Sequence, residues 1–103
     1  MKYQLVLQWP VVSTADYDRL LSLEEAIRDG LGDIDIVDGH DFGSGEMNMF
    51  IHTDNPKSAF EKIKTLLAVG KNMRELKAGY RDLEEDDYKP IYPKGLKSSS
   101  VIY

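Results

Sequence analysis

Residues 34–54 constrain this chain more than any other segment, because apolar and polar side chains alternate on both sides of a glycine-rich run, Gly43-Ser44-Gly45. Alternation with period two, broken by a short turn, is the pattern of a β-hairpin. A helical pattern lies before it and another after it. Each helix must then carry the chain between strands of one sheet, since a lone hairpin is marginal in water and needs a covered face.

The flanks are well punctuated. Residues 2–9 alternate strictly, with Tyr3, Leu5, Leu7 and Trp9 on one side and Gln4, Val6 and Gln8 on the other. Pro10 ends that strand because it has no N–H for the ladder. Ser13 or Thr14 can cap a helix, and Asp16 suits the positive end of its dipole. Tyr17, Leu20, Leu21, Leu23, Ile27 and Leu31 recur at helical spacing, up to a stop at Gly30 and Gly32. A second helix opens on Asn55-Pro56, carries the stripe Ala59, Phe60, Ile63, Leu66 and Leu67, and closes at Gly70. A strand is expected over 75–83, and residues 88–92 can return as a short edge strand, where Pro90 is tolerated.

This order predicts an α+β fold, the ferredoxin-like split β-α-β sandwich (βαββαβ). Both helices pack on one face of an antiparallel sheet, strands one and three are central, and an extra C-terminal edge strand can follow. One domain is expected over residues 1–93, with a tail at 94–103. The core should contain Leu5, Leu7, Leu20, Ile27, Ile36, Ile51, Phe60, Ile63 and Leu67.

A chain of 103 residues, 42% apolar and 30% charged, can build one core and has no reason to be disordered. Its net charge of −5 opposes nucleic-acid binding, which needs clustered Lys and Arg. Without cysteine there is no disulfide, thiol nucleophile or thiolate metal site. No apolar run is long enough for a membrane span, so no membrane partner is expected and the cytoplasm is the default location.

Within the hairpin, a type II′ turn at Gly43-Ser44 predicts a positive φ at Gly43. It sets Asp41 opposite Glu46, His40 opposite Met47, Asp38 opposite Met49 and Ile36 opposite Ile51. Ile34, Ile36, Met47, Met49 and Ile51 then share the core face, with Asp35 opposite His52 on the other. The facing carboxylates Asp41 and Glu46 repel; a cation or a shared proton relieves them, or they splay apart in solvent.

His40 and Asp38, two residues apart on one side, are the candidate catalytic pair, because a carboxylate can orient an imidazole as a general base. The nearby hydroxyl is Ser44, in the turn, which does not complete a triad; a histidine bonded at the rim of the core accounts for the same residues. Asp38, His40, Asp41 and Glu46 lack zinc- or calcium-motif spacing. The glycine run joins strand to strand rather than strand to helix, so no phosphate loop is expected. Neither a metal nor a cofactor is predicted.

Acidity is the broader signal. Asp33, Asp35, Asp82, Glu84, Glu85, Asp86 and Asp87 are predicted to form a negative binding surface for a basic protein. The C-terminal part carries Lys89, Lys94 and Lys97, then Ser98-Ser99-Ser100. Its closing Val101-Ile102-Tyr103 either folds back or docks on a second subunit, which leaves a homodimer open.

The stretches Asp38-Gly39-His40-Asp41, Gly43-Ser44-Gly45-Glu46-Met47-Asn48 and Tyr92-Pro93-Lys94-Gly95 resemble a family of small acidic bacterial proteins of unassigned function. The resemblance extends over most of the chain and implies no catalytic role. In size, acidity and architecture the chain is also similar to small immunity proteins that neutralise bacterial toxins.

These readings predict a non-enzymatic protein-binding module that neutralises or regulates a basic partner. The alternative is a small dimeric ferredoxin-like enzyme or ligand-binding protein using His40 and neighbouring carboxylates. A closed apolar pocket beside His40 favours the alternative; a flat acidic patch with His40 packed and satisfied favours the module.

Overall fold

A computed structural model describes residues 2–68 and 72–95. The chain runs β1 (Tyr3–Pro10), α1 (Thr14–Leu31), β2 (Ile36–Gly43), β3 (Glu46–Thr53), α2 (Pro56–Leu67), β4 (Lys77–Asp82) and β5 (Lys89–Tyr92). The strands form one antiparallel sheet in the order β2-β3-β1-β4-β5. As expected, β1 and β3 are central, and a short C-terminal strand lies beyond β4.

Alternation in the central strands sorts the sheet into two faces. Leu5, Leu7 and Trp9 of β1 join Met47, Met49 and Ile51 of β3 and Ala78 of β4 in one core with Leu20, Ile27, Phe60, Ile63 and Leu67 of the helices. Both helices therefore cover the same face. On the opposite face Val6, Phe50 and Tyr88 form a small second cluster. The Tyr88 hydroxyl donates to Gln4 Oε1 at 2.7 Å, and Arg81 Nε donates to the same oxygen at 3.1 Å. Arg81 Nη1 also donates to the Glu85 carbonyl at 3.0 Å. These bonds fasten the β4–β5 connection to the sheet.

The caps follow the sequence. Ser13 Oγ, at the N-cap, accepts from the Asp16 N–H at 3.1 Å, and the Asp16 carboxylate accepts from the Val12 N–H, just before the helix, at 3.1 Å. Asn55 Oδ1 accepts from the Ser58 N–H at 3.0 Å, with Pro56 opening α2. Gly32, with φ 63°, caps α1 at its C-terminus, whereas Gly30 lies inside the helix. A Cβ there would lie 2.6 Å from Leu66 Cδ1, so Gly30 lets the helices approach rather than ending one. The expected stop at Gly70 lies outside the described residues, as does everything from Leu96 onward, including Val101-Ile102-Tyr103. No described helix is long and apolar enough to cross a membrane.

The hairpin corrects the expected register. Its turn residues are Ser44 and Gly45, at φ 54° and 77°, and Gly43 is not among the residues with positive φ. Two successive positive φ values are the type I′ pattern, whose twist matches that of the flanking strands. Gly43 pairs with Glu46, Phe42 with Met47, Asp41 with Asn48 and His40 with Met49. Continued unbroken, that register would aim Asp38 into the core opposite Ile51. A bulge between Val37 and Gly39 restores the phase, with Gly39 at φ 136°. Val37 thereby meets Ile51, and Ile36 pairs with His52. Ile36 and Ile34, expected in the core, are 53% and 70% exposed. The other eight expected core residues are buried.

Candidate functional site

The apolar stripe of α1 contains one carboxylate, Glu24, placed four residues after Leu20 and three before Ile27. It is 6% exposed, and an ion there is costly unless paired. Its oxygens lie 3.0 and 3.1 Å from His40 Nδ1. An ionised carboxylate only accepts, so Nδ1 carries the proton and donates. The pair ties β2 to α1.

Tyr17, also on α1, stands edge-on to His40, with ring centres 6.5 Å apart, and to Phe42 at 5.3 Å. Tyr17 and Phe42 line an open cleft of about 440 Å³ with Val11, Val12, Ser13 and Thr14. Ser13 Oγ already accepts the helix-capping bond.

The predicted pairings rearrange. Asp38 does not orient His40: the bulge turns it to the other face, where it lies 3.7 Å from His52 Nε2. Asp35, expected opposite His52, is buried, and Ile36 takes that place. Asp41 and Glu46 do not oppose each other, so the expected repulsive pair is not formed. The Glu24 contact went unread in the sequence. Its signal was a carboxylate at a stripe position of an amphipathic helix, where a charge needs a partner.

Among the described residues, no three His, Asp or Glu side chains gather as metal ligands. A carboxylate-held imidazole is one component of a general-base apparatus. The described contacts of His40 are with Glu24 and Tyr17.

The strand register relates the acidic residues at the two ends of the chain. Ile36, His52, Gln4 and Arg81 pair successively across β2, β3, β1 and β4. Asp33 precedes that row in an exposed turn, and Glu84, Glu85, Asp86 and Asp87 follow it in an exposed connection. The start of β2 and the end of β4 therefore lie at the same end of the sheet, three strand spacings or about 14 Å apart, and Asp86 folds back beside Gln4 and Phe50. Asp82 closes β4 there; its Oδ1 accepts from the Glu84 N–H at 2.9 Å. Lys2 and Asp54 share this end, joined by a bond from the Lys2 N–H to Asp54 Oδ1 at 3.2 Å. A second open cleft, of about 490 Å³, lies between Asp38 and Asp86, with Gln4, Phe50, Arg81 and Tyr88.

Comparison with known proteins returned no matching family model, curated protein or solved structure.

Proposed function

We propose that this chain is a non-enzymatic protein-binding module of ferredoxin-like architecture that holds a basic protein partner, in the manner of the immunity proteins it resembles. What supports this reading is that Asp33 and the exposed Glu84, Glu85, Asp86 and Asp87 adjoin strand ends that lie at the same end of the sheet. Carboxylates on an exposed rim steer a basic protein in solution and disfavour an acidic one. The antiparallel order β2-β3-β1-β4, with both helices on one side, supports the ferredoxin-like description.

The enzyme reading has one observation in its favour, the buried Glu24 holding His40. Against it, the adjacent cleft is open and is lined by Tyr17 and Phe42 rather than by His40. An imidazole packed against a helix and bonded to a buried carboxylate fits a structural role.

The experiment is affinity capture from the native host, followed by association kinetics with the captured protein. A basic captured protein whose association slows with salt, and is little changed by His40→Ala, supports the module. Association indifferent to salt, together with a turnover abolished by His40→Ala, would transfer the function to the His40 site.

A further inference from the structure

We infer that β2 receives an extended segment of the partner as a sixth strand, in which apolar and basic residues alternate. This rests on the binding-module reading and adds the surface used and the chemistry that it selects.

The two outer strands of the sheet differ in what they offer. β5 has four residues, and one of them, Pro90, lacks an N–H. β2 has eight residues and no proline, and among the described residues its outer side pairs with no strand. An edge of that length is a template for another chain unless something blunts it. The bulge at Asp38 shortens it, and Asp38 and Asp41 add charge. A second copy added antiparallel would bring like charges together, which disfavours self-association. The same carboxylates favour a strand bearing Lys or Arg.

Register specifies the rest. A two-residue turn closes on the pair Gly43–Glu46, and antiparallel pairs then alternate between bonded and non-bonded. By that alternation the N–H and C=O groups of Phe42 and His40 face away from β3, where an added strand finds them. Side chains beside Phe42 and His40 fall on the helix side of the sheet. There Phe42 is 50% exposed against Tyr17, and Val12 of the same cleft is 89% exposed. Apolar residues of the incoming strand cover this patch. Its alternate residues fall on the other side, beside Asp41 and the bulged Asp38, and there basic residues are matched. Peptide recognition by strand addition works in this way, backbone bonds giving affinity and alternate side chains giving selection.

The test uses the full chain and three synthetic peptides: alternating lysine and valine, the same residues in two blocks, and alternating glutamate and valine. Amide shifts and hydrogen exchange are followed by NMR during titration. Binding of the alternating lysine peptide, with slowed exchange at His40 and Phe42, is expected. Its Kd should weaken about tenfold in Asp38→Asn/Asp41→Asn, and by a similar factor in Phe42→Ser, which keeps the backbone groups. The block peptide should bind more weakly, and the glutamate peptide should not bind. Equal binding of both lysine peptides, or binding without protection of His40 and Phe42, overturns strand addition and leaves the module reading standing. If no lysine peptide binds, strand addition falls. If the captured partner also associates independently of salt, the module reading falls with it.

Discussion

At the scale of single residues, the pairing of Glu24 with His40 decides how β2 is held against α1. Removing the imidazole strands a buried carboxylate, whereas removing the carboxylate only frees an imidazole that is 28% exposed. His40→Ala is therefore expected to cost about 1–3 kcal/mol in urea unfolding, and Glu24→Leu less, because leucine continues the stripe of Leu20 and Ile27. In the double variant the two costs should not add; agreement within about 0.5 kcal/mol of additivity would show that the contact carries no energy. The turn gives a second residue-level contrast. Gly45 lies at φ 77° with open space around its missing Cβ, so Gly45→Ala should cost about 1–2 kcal/mol through backbone strain alone. Gly43 has open space and no left-handed φ, so Gly43→Ala should be neutral or mildly stabilising in the same assay.

At the scale of elements, legibility followed the kind of signal available. β1, α1 and α2 are spelled out by period and punctuation together: strict alternation up to Pro10, Ser13 and Asp16 at one helix start, Asn55-Pro56 at the other. The hairpin was legible as a hairpin but not in register. Gly43-Ser44 and Ser44-Gly45 both supply a two-residue turn, and alternation alone cannot exclude a slip that a bulge later repairs. Val37 and Ile36 exchange faces through that repair, and with them went the pairing of Asp38 with His40. The helix bearing Glu24 was readable, but the strand residue meeting it was not, because that depends on the register. Stability should record this exchange. Phe60→Ala in the buried stripe of α2 is expected to cost about 3–5 kcal/mol. Ile36→Ala, which the expected register would have made comparably costly, should stay below about 1 kcal/mol because Ile36 is half exposed. Equal losses from the two in denaturant titrations would contradict the bulged register.

At the scale of the whole molecule, topology decides which charged residues lie at the same end of the sheet. A net charge of −5 spread evenly would favour solubility without choosing a docking face. Here the antiparallel order brings the start of β2 and the end of β4 to one end of the sheet, so Asp33 and the 84–87 connection share that end although some fifty residues separate them. Of the residues expected on this surface, Asp33 and Glu84 to Asp87 are exposed, whereas Asp35 is buried where the chain enters β2. Neutralising Glu84, Glu85, Asp86 and Asp87 to their amides should therefore slow association with a basic partner by about tenfold at low salt, the loss shrinking as salt is added. Asp82 is best left intact, since its carboxylate accepts the Glu84 N–H and shapes the connection. The four exposed changes should leave unfolding free energy within about 0.5 kcal/mol, which separates a charge effect from a folding defect. Stopped-flow association at several salt concentrations is the measurement. An unchanged association rate in the neutralised protein at low salt would remove electrostatic docking as the use of this end of the sheet, whatever β2 binds.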